Sequence, residues 1–400
     1  MQPTNGTVRS ANRSMLVDVL RREGAATRGR LISATGLSRA TVSSLVVEMQ
    51  KEGLLCETRH PTATGQGRPP ARLTLERSAG LAIGVDVGVR HIAVAVGDLS
   101  RRVLAERWIS LPHGHSADHG APTVLRCIQE TLDEAGADPH GLVGAAISIA
   151  APVAPERGQF MIPGVLPGWS GQQLANLIGE RWDIPVAVEN DANLGALAEH
   201  TWGDLQGATS LLYVKMASRL GLGIVIDGSI YHGAQGSAGE FGHITVDPAG
   251  ELCWCGRQGC LEMYVGGESL LRQLELPDSS AIDLRELVLL AEDPRIGAAI
   301  NRAATVLAQG LSTLALLFNP SVIIIGGELA VLGDLLLGPA RQAMNNIPFG
   351  RPIPVKTATL DGRGSVAGAL ALVLSDSSRF TDHAATSPAV RSAGRGLPHH

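Results

Sequence analysis

Two stretches of this chain follow one plan. LAIGVDVGVRHIAVAVGD (81–98) and LLYVKMASRLGLGIVIDG (211–228) each read as apolar strand, glycine-containing turn, apolar strand. After the first come a further strand in RRVLAERWISL, a helix over 121–135 and a strand over 142–149. After the second come a helix near 295–317 and a strand over 321–325. Two hairpin-led halves point to internal duplication and to an α/β body of two lobes with a cleft between them. Aromatic residues make up 3% of the 400 residues, so the cores must be built from Ala, Val, Leu and Ile.

Ahead of this body lies a segment of opposite charge. Residues 1–75 carry eleven Lys or Arg against five Asp or Glu, a net +6; with −5 for the whole chain, the remainder carries −11. A basic head on an acidic body suits a polyanionic partner for the head. Met15, Leu16, Val19 and Leu20 fall on one helical face. A short helix over 28–35 stops at Gly36, and Ser38 is a good N-cap for a third helix. In that helix Val42, Leu45, Val46 and Met49 form an apolar stripe, while Arg39, Thr41, Ser43 and Ser44 make its first turns polar. This is a helix-turn-helix plan, whose second helix enters the major groove of DNA by its N-terminal end. Arg39 and Ser43 are positioned for base edges, Thr41 and Ser44 for phosphates. LLCET and ARLTLE then flank a tip containing Gly67, Arg68 and Pro69, which reads as a β-wing suited to a narrow minor groove. The competing reading of this head is a three-helix protein-interaction module; the combination of turn, polar end, charge and wing favours DNA.

The first eleven residues are expected to be a flexible lead, 12–75 the winged head, 80–375 the body, and 376–400 a flexible Ser/Pro/Gly-rich tail. The N-terminus lacks the apolar core of a signal peptide. The longest apolar stretch, LSTLALLFNPSVIIIGGELAVLG, is broken by Asn319-Pro320 and Gly326-Gly327, so it reads as helix end, turn and buried strand. A cytoplasmic protein without a membrane partner is expected. Three of five cysteines crowd into 253–260, which is metal spacing and not a disulfide framework.

Three groups of residues in the body carry chemistry. In AVENDANLGALAEH a strand ends at Glu189 and a helix begins at Asp191. Asn190 and Asp191 therefore stand at a strand's carboxyl end beside a helix N-terminus, where α/β folds bind ligands. The bland reading makes Asp191 an N-cap and nothing more. GEFGH places Glu240 and His243 in a glycine-rich turn, and CWCGRQGCLE supplies Cys253, Cys255, Cys260 and Glu262. His243 with the three cysteines suits a closed, tetrahedral, structural Zn2+ site spanning the 243–260 loop.

VENDAN, GEFGHITVDP, C-x-C-G-x-x-G-C-x-E and FNPSVIIIGG together resemble the ROK family (repressor, open reading frame, kinase) over about 80–375. With its head, the chain looks like the repressor branch, of the xylose- and N-acetylglucosamine-repressor type. The resemblance implies a two-lobed, actin-like and ribonuclease-H-like body of the sugar-kinase type. It implies sugar contacts from Asn190, Asp191, Glu240, His243 and Glu262, with Asp191 at the kinase general-base position, and zinc on His243, Cys253, Cys255 and Cys260. Kinases of the family carry Asp-x-Gly-Gly-Thr in the first loop; here Val89 and Arg90 replace the second glycine and the threonine. Their second loop reads Gly-Thr-Gly-x-Gly-x-Gly; here Ala217 and Arg219 replace its first two glycines, and Gly221 and Gly223 survive. Phosphates need close approach to bare backbone N–H groups, and side chains there obstruct it. The expectation is a sugar- or phosphosugar-responsive regulator, dimeric or tetrameric, that binds operator DNA and has no catalytic residue in use. The alternative is an active ATP-dependent sugar kinase fused to a DNA-binding head. In a further reading, Arg90 and Arg219 hold a phosphosugar's phosphate.

Overall fold

The computed structural model describes residues 5–58, 71–76, 80–154, 159–160, 166, 168–204, 208–274, 283–348, 350–360 and 362–375. The head consists of α1 (Asn5–Glu23), β1 (Ala26–Thr27), α2 (Arg28–Thr35), α3 (Arg39–Lys51), β2 (Leu55–Thr58) and β3 (Arg72–Leu75). Thr27 caps α2 by accepting from Arg30 N, and Gly36 ends it in the left-handed region (φ 69°). Ser38 caps α3 by accepting from Thr41 N. Val42, Leu45, Val46 and Met49 are buried against Leu16, Val19, Leu20 and Leu31, whereas Met15 is 40% exposed and lies off that face. The wing strands pair antiparallel, Leu55 with Leu75 through Thr58 with Arg72. β1 adds a third strand, with Ala26 opposite Leu73.

α1 begins at Asn5, inside the lead expected to be flexible. Long-range pairing explains the difference. Arg9 bonds to Glu48 on α3, and Arg13 donates to Glu48 (2.7 Å) and Glu52 (3.0 Å). The wing-tip residues Gly67, Arg68 and Pro69 and the tail 376–400 lie outside the described residues.

The body holds two five-stranded sheets of identical plan. The first is built from β4 (Leu81–Val87), β5 (His91–Asp98), β6 (Val103–Ser110), β7 (Leu142–Ile149) and β10 (Val186–Asn190), in the order β10-β7-β4-β5-β6. The second uses β11 (Ser210–Met216), β12 (Leu220–Ile226), β13 (Ser229–Ile230), β14 (Val322–Gly326) and β15 (Val355–Thr357), in the order β13-β12-β11-β14-β15. In both, the leading strand pairs antiparallel with the second and parallel with the fourth. A two-residue pair, β8 (Val153–Ala154) with β9 (Gln159–Phe160), stands apart.

α4 (Ala117–Ala135) and α5 (Gly171–Trp182) cover one face of the first sheet with Val124, Ile128, Leu132, Leu174 and Ile178. α9 (Pro294–Phe318) and α10 (Asp334–Asn345) cover the outer face of the second with Leu307, Leu311, Leu314 and Leu337. Short α7 (Glu262–Val265) and α8 (Gly267–Gln273) follow the cysteine loop. Between the sheets lie α6 (Asp191–Trp202) and α11 (Gly364–Ser375). Both are rich in Gly and Ala, and both are buried nearly all round, as a helix enclosed on every side must be. A Cβ on Gly368 of α11 would sit 1.9 Å from Leu194 O of α6, and one on Gly223 of β12 would sit 2.2 Å from Ala192 O. The two helices and the two hairpins therefore touch backbone to backbone.

Candidate functional site

The cleft between the lobes is a cavity of about 130 Å³ lined from both sides. Asp86, Asn190 and Asp191 come from the first lobe and its connecting helix; Lys215, Arg219, Glu240, His243 and Glu262 come from the second. Asn190 ends β10 and is the N-cap of α6, its Oδ1 accepting from Ala192 N (2.9 Å) and Asn193 N (3.2 Å). Its Nδ2 donates to Ala151 O (3.1 Å). The capping role considered for Asp191 thus belongs to Asn190, and Asp191 is free for other work in the first helical turn.

That work is an ion pair absent from the sequence reading. Lys215 Nζ lies 2.7 Å from Asp191 Oδ2 and 3.2 Å from Ser365 Oγ. Burial alone would lower the Lys215 ammonium, but Asp191 and Asp86 outweigh it and hold the group above its ordinary value. A sequence signal existed: Lys215 is one of three lysines in the chain and sits inside the apolar run LLYVKM. An ionisable group in a buried strand marks a site.

Glu240 and Glu262 face the same space. Burial, then Glu262 and Asp191, push the Glu240 carboxyl up to about 7. Glu262 accepts from Trp254 Nε1 and lies 3.6 Å from Arg219 Nη1, while the Arg219 guanidinium sits 4.5 Å over the Trp254 ring. Trp254 was not singled out from the sequence. Nor was the pair behind Asn190: Glu189 Oε1 accepts from Asn193 Nδ2 (2.9 Å), and its Oε2 lies 2.6 Å from His232 Nε2.

His243 faces two ways. Its Nδ1 is 3.6 Å from Cys253 Sγ, and its Nε2 is 3.9 Å from Glu240 in the cleft. Cys255 Sγ and Cys260 Sγ are 3.7 Å apart, and one ligand atom from each of the four residues lies within 4.8 Å of the others. A tetrahedron with Zn–S near 2.3 Å has S···S edges of about 3.8 Å, so this donor set can hold such a cation. The left-handed turn at Gly256 (φ 87°) and the bond from Cys253 N to Arg257 O (2.7 Å) shape the loop that presents the sulfurs.

Both glycine loops line the cleft and pack closely against neighbouring groups of the chain. Asp86 accepts from Ser148 Oγ (2.6 Å) and lies 2.9 Å from His91 Nε2. Burial works to raise its carboxyl, but His91, Lys215 and Ser148 prevail and hold it low. The His91 ring stacks on Trp108 (centroids 3.9 Å apart) and leaves no room above Gly88, where a Cβ would come within 2.2 Å of it. In the second loop, Gly221 and Gly223 lie against Ala192, so helix packing requires these two glycines whatever the cleft binds.

On the head, Arg39, Ser43 and Ser44 are exposed at the start of α3. Thr41 is half-buried, with its Oγ1 2.9 Å from Ser38 Oγ, and Arg9 reaches Ser44 Oγ at 3.5 Å. Much of the head's positive charge is used internally: Arg9, Arg13, Arg28 and Arg30 are all in ion pairs. Arg39 has no ion pair among the described residues.

The ROK family model matches residues 82–376, most of the chain. The chain belongs to the ROK family. This ROK protein is 28% identical to the xylose repressor of Caldicellulosiruptor bescii over 375 residues, which is 89% of this chain and 94% of that one. It is 32% identical to the glucokinase of Streptomyces coelicolor over 315 residues, 72% of this chain and 96% of that one. A solved ROK family transcriptional regulator, a homologue of the Escherichia coli Mlc protein, has the same fold: TM-score 0.79, 23% identity, covering 94% of this chain and 99% of that one. The two-lobed sugar-kinase type of body expected from the motifs is thus the fold of this ROK protein. Among the described residues no helix is long and apolar enough to cross a membrane.

Proposed function

We propose that this ROK protein is a sugar-responsive transcriptional repressor of the cytoplasm. It would bind operator DNA through its head and take a sugar or phosphosugar between its lobes. The observation that carries the reading is one of coverage. The xylose-repressor match spans 89% of the chain and so reaches into the head, whereas the glucokinase match spans only 72%. In this reading Arg39 and Ser43 meet base edges, Thr41 and Ser44 meet phosphates, and Gly67, Arg68 and Pro69 enter the minor groove. Asn190, Asp191, Glu240, His243 and Glu262 hold the sugar hydroxyls. A structural zinc on His243, Cys253, Cys255 and Cys260 fixes the imidazole that faces Glu240, as an orienting partner does for a ligand. A homodimer or homotetramer presents paired heads to a palindromic site.

In the same reading phosphoryl transfer is not the working activity. Asp191, at the general-base position implied by the resemblance, is engaged by the Lys215 ammonium. His91, Val89 and Arg90 occupy the first loop, and Ala217 and Arg219 the second. The competing kinase reading rests on the glucokinase match and on retained Asp86 and Asp191. One titration separates the two. Fluorescence anisotropy on duplex DNA from upstream of the gene, with xylose, glucose, N-acetylglucosamine and its 6-phosphate, should show one sugar shifting DNA affinity. A coupled ADP-release assay should show no turnover on the same panel. Sugar-insensitive DNA binding with robust ADP release that Asp191→Asn abolishes would establish the kinase instead.

A further inference from the structure

Arg21 on α1 of the head touches the body at two carbonyls. Its Nε donates to Leu99 O (3.0 Å) and its Nη2 to Leu374 O (2.5 Å). The side chain is only 3% exposed, and Asp18 lies 3.5 Å from Nη1. Leu374 stands in the last turn of α11, where carbonyls lack partners within the helix and a cation is favoured. Leu99 follows the end of β5. One guanidinium thus fastens the head to the ends of two separate elements.

The other end of each element reaches residues that line the cleft. β5 starts at His91, 2.9 Å from Asp86 and stacked on Trp108. α11 starts beside Ser365, whose Oγ contacts Lys215 Nζ (3.2 Å) and donates to Asp191 O (3.3 Å). From Ser365 to Leu374 the helix rises about 14 Å at about 1.5 Å per residue. Backbone contact with α6 at Gly368, and with β4 at Gly84, where a Cβ would lie 2.6 Å from Val366 O, packs α11 closely along its length. A helix packed this closely is expected to shift between discrete arrangements as a unit, because close-packed interiors do not deform smoothly.

We propose that α11 is the transmission element between ligand and DNA: Lys215 and Ser365 read the state of Asp191 at one end, and Arg21 delivers it to the head at the other. The proposal rests on the sugar-responsive reading above. A sugar hydroxyl that bonds Asp191 competes with Lys215 for the same carboxylate. The change reaches Ser365, shifts the rod along its axis and alters the register of α11 and β5 under Arg21, and so the angle of the head. Arg21 and Lys215 are positioning residues here: Arg21 touches neither sugar nor DNA.

The test measures coupling, not binding. DNA affinity by anisotropy and sugar affinity by calorimetry are measured for the full chain, wild type and Arg21→Met, with xylose and the other sugars of the panel. The wild type is expected to show a sugar-dependent change in DNA affinity within the usual range for coupled sites, about 5-fold to 150-fold. Arg21→Met should keep both individual affinities while that ratio falls below about twofold, and Arg21→Lys, which keeps the charge, should restore part of it. Ser365→Ala, at the far end of the rod, should also reduce the ratio, and it decides the matter if Arg21→Met does not fold. An unchanged ratio in a folded Arg21→Met or in Ser365→Ala overturns the transmission role and leaves Arg21 a static fastening. A wild type that binds DNA but answers to no sugar overturns the regulator reading, and the relay with it.

Discussion

Asp191 shows how one contact redirects a side chain. At a strand end beside a helix N-terminus a carboxylate faces the ligand space, and here a buried ammonium at 2.7 Å makes it half of an ion pair. Arg39 is the opposite case: an exposed arginine at the tip of α3 without an ion pair among the described residues. Arg39→Ala should weaken operator binding by about 1–3 kcal/mol and relax discrimination at one base pair, measured by anisotropy on point-substituted duplexes. His232 gives a pH prediction. The bond to Glu189 raises its pKa despite the opposing effect of burial. A histidine raised in the folded state adds stability that is fully present below its unfolded value of about 6.5 and is lost as pH rises through the folded value. Urea melts should therefore show the wild type losing stability relative to His232→Gln as pH climbs from about 6 to about 9. Equal pH profiles for the two proteins would show that the pair contributes nothing. The residue types at these positions were readable in sequence. Their partners were not, because Lys215 and His232 reach their carboxylates only once the second lobe has folded over the first.

The helices and loops obey different constraints. The cysteine loop is local: four ligands within eighteen residues (243–260), set by a left-handed glycine turn. Its spacing therefore announced a candidate metal site without any knowledge of the fold. Because Nδ1 of His243 faces the sulfurs and Nε2 faces Glu240, stripping metal with a chelator should lower the Tm and weaken sugar binding together. Calorimetry with and without added zinc checks both. α6 and α11 are governed by packing. Gly368→Ala should cost about 1–3 kcal/mol through forced separation of the two helices, visible in urea melts. α1 shows where periodicity falls short: its first turns carry no strong apolar stripe, and they are held by Arg9 and Arg13 reaching Glu48 and Glu52 across the head.

The assembled chain joins a basic head to a duplicated acidic body through buried contacts, so a ligand in the cleft stabilises a connected structure. At about 100 times its Kd, a sugar that binds only the folded state adds about 2.7 kcal/mol, which thermal-shift measurements detect. In the regulator reading magnesium ATP at the same excess should give no shift, because His91 packs over Gly88 and an arginine side chain at 219 replaces a glycine of the family's kinases, and phosphates need bare backbone. A clear ATP shift would reopen the kinase reading.

The amino-acid order alone determined the duplicated frame, the helix-turn-helix with its wing strands, and the Cys3His set. Each depends on spacing within a few residues, through a period of 2 or 3.6 or a turn. Only the tertiary structure decided that Lys215 neutralises Asp191 across 24 residues, that Arg21 caps α11 across 353, and that Gly221 and Gly223 serve helix packing. These depend on which buried surfaces meet. A buried charge must find its partner wherever the packed lobes bring one, and no local period records where that will be.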